Sequence, residues 1–186
     1  MKTNIILAGV GGQGILTIAE IIAKAALNQN LNIKQSEIHG MAQRGGAVQA
    51  HIRISDDVIY ANVIPKGTAD IIISIEPLET LRYLPWLKKD GIIISNDRPL
   101  ENIPNYPDLD GIYDEIKKVP NAVIVNAKEQ AANNGMAQAV NIALLGVASS
   151  YIKQLSRESF ENAIVEKFQS KGEDVVNGNL KVFNCC

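Results

Sequence analysis

Two short runs hold the side chains and backbone able to do chemistry. Gly9, Gly11 and Gly14 have the G-x-G-x-x-G spacing, with Gly12 and Gln13 between them, after an apolar run and before a helical pattern. Free backbone N–H groups and the helix dipole at such a turn favour an anion, so a phosphate is a natural occupant. A nicotinamide or flavin dinucleotide would also need an acid at the end of the second strand, and Glu37 stands near that place. The same glycines also suit a tight turn with no ligand. The second run, Ser36 to Gly46, brings Glu37, His39, Gln43 and Arg44 together with Gly40, Gly45 and Gly46. A carboxylate, an imidazole, an amide and a guanidinium in one glycine-rich loop suit recognition. Arg44 is the only cation between Lys34 and Arg53, so its counterpart is a phosphate, a substrate carboxylate, an acidic partner surface or Glu37 itself. His39 has no second His or Cys at ligand spacing, which argues against a metal site. His51 reads as an ordinary strand-face residue. No Ser-His-Asp, Cys-His or paired-carboxylate arrangement follows from spacing, so no catalytic residue is assigned.

The elements that must carry these loops follow from hydrophobic period. Strands are expected at Asn4–Ala8, Leu31–Glu37, Ala47–Ile54, Ala69–Ile75, Gly91–Ser95 and Ala122–Val125. Asp56-Asp57 reads as a hairpin turn from Ala47–Ile54 into a further strand, Val58–Val63, giving an antiparallel pair beside a parallel core. Helices are expected from Ile15 through Ala26, over Pro77–Leu87, and in an amphipathic stretch ending at Lys118. From Lys128 onward the pattern is helical: Lys128–Asn133, Ala137–Gln154, Arg157–Gln169 capped by Ser156, and Glu173–Phe183. The fold class is α/β: a Rossmann-like, doubly wound, mostly parallel sheet with an antiparallel hairpin and a helical C-terminal part, in a single domain spanning 1–186.

Composition narrows the function. The 186 residues carry 18 Lys and Arg against 20 Asp and Glu, a net charge of −2, which gives no broad attraction to nucleic acid or to an anionic membrane. Aromatic residues are only 5%, too sparse for a base-stacking surface. The chain starts straight into its first strand without a signal-like segment and reads as cytoplasmic. Gln130 to Ile152 has no charged residue, but its Asn, Gln, Ser and Gly content points to a buried helix and not a membrane span. The two cysteines, Cys185 and Cys186, are the last residues; they cannot furnish the four thiolates of a zinc or iron-sulfur site and read as an exposed, frayed end.

Ala8-Gly9-Val10-Gly11-Gly12-Gln13-Gly14, with Ser36-Glu37-Ile38-His39-Gly40-Met41-Ala42-Gln43-Arg44-Gly45-Gly46-Ala47-Val48, resembles the gamma-type domain of the 2-oxoacid:ferredoxin oxidoreductases. Within that family the His-Gly-Met-Ala-Gln-Arg-Gly-Gly run is similar to the indolepyruvate branch, and Asn141-Ile142-Ala143-Leu144-Leu145-Gly146 resembles the family's late helical motif. The resemblance implies a small subunit that supports coenzyme A-dependent oxidative decarboxylation of an aryl 2-oxoacid. Ferredoxin would accept the electrons through the complex. Thiamine diphosphate and iron-sulfur clusters would sit on a large partner subunit, with no cofactor held by this chain alone. Gly9 to Gly14 and Glu37 to Gly46 would lie at the shared cleft, binding coenzyme A phosphates or closing the substrate pocket, with Arg44 as anion contact and Gln13, Glu37 and His39 as positioning groups. An isolated chain would expose its partner face and pair with itself to cover it. The competing reading is a stand-alone NAD(P)-binding oxidoreductase or redox sensor built on the same glycine loop.

Overall fold

A computed structural model describes residues 1–39, 45–101 and 103–186. Six strands form one sheet: β1 (Lys2–Val10), β2 (Asn32–His39), β3 (Ala47–Ser55), β4 (Ala69–Ser74), β5 (Leu87–Asn96) and β6 (Ala122–Val125), in the order β2-β3-β1-β4-β5-β6. β1, β4, β5 and β6 are parallel; β3 runs antiparallel to both β1 and β2. The helices are α1 (Ile15–Asn28), α2 (Pro77–Tyr83), α3 (Leu109–Lys117), α4 (Ala127–Asn133), α5 (Val140–Ser149), α6 (Arg157–Phe168) and α7 (Glu173–Asn184).

Side-chain alternation divides the interior into two layers. Ile5 and Leu7 of β1 join Ala50, Ile52 and Ile54 of β3 and Ile71 and Ile73 of β4 in a core under α1, α5, α6 and α7. Ile6 and Ala8 point the other way and join Ile72 and Ile93 under α2 and α3. Both faces of β1 are therefore sealed, which is why Asn4–Ala8 reads as an unbroken apolar run. The doubly wound α/β expectation is met, with its antiparallel element.

The hairpin is a different one. Residues 58–63 are not a strand, and β3 instead pairs antiparallel with β2. Both edges of β3 are occupied, by β1 and β2, so no ladder position is left for the segment that follows it. That segment lies across the sheet face, held by side chains. Arg53 Nη1 donates to the carbonyls of Ala61 at 2.6 Å and Val63 at 3.3 Å, and Nε donates to Asn4 Oδ1 at 3.1 Å. Ile64 N–H donates to His51 Nδ1 at 3.0 Å, so His51 is a buried acceptor beneath a loop and not a plain strand-face residue.

Three other boundaries move. The helix expected over Pro77–Leu87 stops at Tyr83 and tightens into a 3-10 turn, Leu84–Trp86, because Pro85 lacks an N–H and crowds the residue before it. The helix expected over Ala137–Gln154 is only Val140–Ser149; tight turns from Ala139 N–H to the Met136 carbonyl and from Ile152 N–H to the Ser149 carbonyl flank it. The cysteine end is docked, not frayed. Cys186 packs against the first core, its thiol lies 3.2 Å from Gln130 Oε1, and Arg157 Nη2 donates to its carbonyl at 3.3 Å. Burial pushes the Cys186 thiol up to about 12, which disfavours the thiolate. Among the described residues no helix is long and apolar enough to cross a membrane.

Candidate functional site

The glycine loop leaves β1 at Val10 and enters α1 at Ile15. Gln13 closes it twice: its Oε1 accepts the Val10 N–H at 2.8 Å, and its own N–H donates to the Val10 carbonyl at 3.1 Å. Gly14 precedes α1 in the left-handed region at φ 83, and among the described residues no side chain caps the helix. A Cβ on Gly14 would come within 2.5 Å of Asn141 Nδ2, the amide that donates to the Gly14 carbonyl at 3.4 Å. Backbone angle and close approach together demand glycine here. The first turn of α1 carries no acidic residue, so its N–H groups and dipole present positive potential to whatever faces the loop.

What faces it is a groove of about 510 Å³ at the C-terminal ends of the parallel strands. Gly12 and Gln13 follow β1, Ile75 follows β4, and Asn96 and Arg98 come from the end of β5 and the turn beyond. Lys128 in the first turn of α4, and Gln138, Val140 and Asn141 around the start of α5, complete the wall. Chain connections diverge between β1 and β4, β1 leading through α1 to one side of the sheet and β4 through α2 to the other. Such a crevice is where open α/β sheets bind ligands. Asn96 ties it together, Nδ2 donating to the carbonyls of Ile75 at 3.3 Å and Arg98 at 3.1 Å. Its Oδ1 is buried and, among the described residues, has no hydrogen-bond partner. Burial raises the neighbouring Asp97 carboxyl, with the Arg98 charge opposing that rise. Arg98 and Lys128 are both exposed. Two cations, several amides and an uncapped helix start suit a phosphate-bearing or carboxylate-bearing ligand.

The sequence-derived residues divide. Gly12 and Gln13 line the groove, and Gly14 packs behind it on Asn141. Gly9 lies within β1 opposite Val48, and Gly11 joins the two loops: its N–H donates to the Gly46 carbonyl at 2.8 Å, and its carbonyl accepts from Gly45 N–H at 3.5 Å. His39 closes β2 with its backbone opposite Val48. Gln43 and Arg44 lie outside the described residues, so neither the Arg44–Glu37 pair nor the Arg44 anion contact is described. Glu37 is exposed, accepts the Gln35 side-chain amide and does not line the groove. It sits opposite Ala50, which is opposite Leu7, so β3 separates it from β1 by two strand spacings, about 9.5 Å. A dinucleotide site of the expected kind needs that acid on the strand beside β1. The stand-alone NAD(P) reading is therefore not supported.

Residues that sequence reasoning missed are Asn96, Arg98, Lys128 and Gln138. The signal available for Asn96 and Arg98 was their place just past a buried strand whose C-terminal end must open on the switch point. Nothing local marks Lys128.

Residues 4–185 match the family model described as pyruvate ferredoxin/flavodoxin oxidoreductase. The chain belongs to this family. Among curated members of the pyruvate ferredoxin/flavodoxin oxidoreductase family, the indolepyruvate oxidoreductase subunit IorB of Archaeoglobus fulgidus is 42% identical over 189 residues, covering 97% of this chain and 92% of that one. Among solved structures, the gamma subunit of a keto/oxoacid ferredoxin oxidoreductase from Geobacter sulfurreducens superposes with a TM-score of 0.71 at 24% identity, covering 98% of this chain and 94% of that one. A 2-oxoglutarate:ferredoxin oxidoreductase from Magnetococcus marinus, described with 2-oxoglutarate, coenzyme A and succinyl-CoA bound, gives a TM-score of 0.78 at 21% identity. That match covers 99% of this chain but 30% of the other, so the whole present fold corresponds to one part of a longer chain. At these identities the solved structures show the shared fold alone.

Proposed function

We propose that this chain is the small subunit of an indolepyruvate:ferredoxin oxidoreductase, one gamma-type domain working in the cytoplasm beside a large subunit. The observation that carries the reading is 42% identity, almost end to end, with a subunit of that name. Its groove at the strand ends supports a binding role. Thiamine diphosphate and the iron-sulfur clusters belong with the large subunit on this reading, because two adjacent cysteines cannot ligate a cluster. Ferredoxin takes electrons from the assembled complex. When bound, the large subunit's cofactors supply decarboxylation and electron transfer, and this chain supplies placement. Arg98, Lys128 and the α1 N-terminus would hold coenzyme A phosphates; Asn96 and Asn141 would orient the groove; Arg44 would contact a further anion, with Gln13, Gln43, Glu37, His39, Gly45 and Gly46 shaping the loops around it.

The test is anaerobic recovery of the chain with its partner from its own cells, followed by assay of indolepyruvate- and coenzyme A-dependent dye reduction. Recovery of a large, iron-bearing partner with that activity is expected. A preparation that reduces dye with NAD(P)H in place of the oxoacid would overturn the reading. Within the active complex, Arg44→Ala is expected to raise the KM for coenzyme A or indolepyruvate, and unchanged constants with an intact complex would remove that role.

A further inference from the structure

The face of the sheet that carries α2 and α3 is covered only in part. α2 lies over β1, β4 and β5 with α3 packed beside it, and among the described residues only the irregular segment after Ser55 lies above the β2–β3 half. That segment buries Ile59 and Ile64 but leaves Val58 66%, Val63 50% and Tyr60 90% exposed, while Ile38 on the same face of β2 is 50% exposed. Large apolar side chains gathered on one face of a chain this rich in buried aliphatics mark a contact surface.

Between Val58 and Tyr60 opens a cavity of about 230 Å³, whose lining includes Arg53, Lys2 and Ser55. Arg53 is 7% exposed, and its hydrogen bonds go to neutral oxygens of Asn4, Ala61 and Val63. Among the described residues no carboxylate pairs with it. Among the described residues Nη2 has no partner, yet it is not a buried unsatisfied atom, so it keeps an opening through the cavity that Arg53 lines. A buried guanidinium without a counter-charge is costly, and the missing group is an anion that enters from outside. The apolar rim decides its source. A small hydrated anion gains nothing from Tyr60 and Val58, whereas an acidic side chain on a protein surface brings apolar neighbours that cover both. Aromatic and Arg anchors around a pocket are also the usual centre of a protein interface.

We propose that this face docks the large subunit, which inserts one Asp or Glu carboxylate against Arg53 and Lys2 and packs apolar surface over Tyr60 and Val58. The proposal rests on the small-subunit reading and adds a contact at the opposite end of β1 from the glycine loop. Its test uses the two subunits purified separately and recombined without oxygen, with association followed by sedimentation velocity. Tyr60→Ala and Lys2→Glu change exposed residues and keep the fold; each is expected to weaken association about tenfold or more with an unchanged Tm, and added salt is expected to weaken the wild-type pair. Lys181→Glu, a charge reversal on the opposite face of the sheet, is expected to leave association unchanged. If wild type associates and both Tyr60→Ala and Lys2→Glu associate as tightly, this surface is not the dock. Loss of self-association of the isolated chain in Tyr60→Ala, with binding to the large subunit intact, would give the face to a second copy instead. If wild type does not bind the large subunit at all, the small-subunit reading fails and this proposal with it.

Discussion

Gly14→Ala separates backbone from packing at the loop that shapes the groove. Alanine at φ 83 sits in the left-handed region, which costs about 1–2 kcal/mol for a residue with a Cβ. The new methyl would also lie 2.5 Å from Asn141 Nδ2, so the amide must swing away and surrender its bond to the Gly14 carbonyl, a further loss of about 0.5–1.5 kcal/mol. The expected destabilisation is about 2–3 kcal/mol, or a fall in Tm of roughly 5–10 °C for a chain of this size. Urea unfolding of Gly14→Ala, Asn141→Ala and the double variant checks the partition. With Asn141 truncated the clash and the bond are both gone, so Gly14→Ala in that background should cost only about 1–2 kcal/mol. Strict additivity, or a single-variant cost below about 0.5 kcal/mol, would refute the reasoning that Gly14 and Asn141 are coupled through contact.

Gly146→Ala puts a Cβ 2.6 Å from the Phe183 carbonyl and 3.0 Å from Cys186 Cβ, which should push α7 off α5 and lower stability by about 1–3 kcal/mol in denaturant titration. Burial holds the His51 pKa below its ordinary value of 6.5, since only neutral imidazole can accept the Ile64 N–H. The unfolded chain then takes up a proton that the folded one refuses, so this contribution is complete above about pH 6.5 and lost as pH falls below it. Unfolding free energies from urea titrations at pH 7.5 and 5.5 should differ by on the order of 1 kcal/mol at most from this source, and His51→Gln should abolish that part. Arg98→Ala and Lys128→Ala in the assembled enzyme should each raise the KM for coenzyme A by several-fold to about tenfold at unchanged kcat, read from steady-state dye reduction.

Much of the fold is legible in local pattern because local pattern is what burial on two faces writes. Ile71-Ile72-Ile73 must be a central strand, since its alternate side chains enter opposite cores, and Ser156 announces α6 by accepting the Ser159 N–H at 3.2 Å. The glycine loop is legible because φ 83 with Asn141 packed close against it favours glycine at Gly14. The family is legible too, in the loop residues from His39 to Gly46.

Only the tertiary structure decides who stands next to whom. Val48, Ala50, Ile52 and Ile54 alternate as any half-buried strand does, and nothing in them says that their partners are β1 and β2 and not residues 58–63. That choice moves Glu37 two strands from the glycine loop and removes the dinucleotide reading. It also turns Arg53 and His51 inward beneath the displaced segment. The groove is assembled likewise: Asn96, Arg98, Lys128 and Asn141 lie far from Gln13 in the chain and converge because parallel strands bring their C-terminal ends to one edge. Sequence period records whether a residue is buried, which is a property of one element; a site is a relation among several, set by the order in which the strands pair.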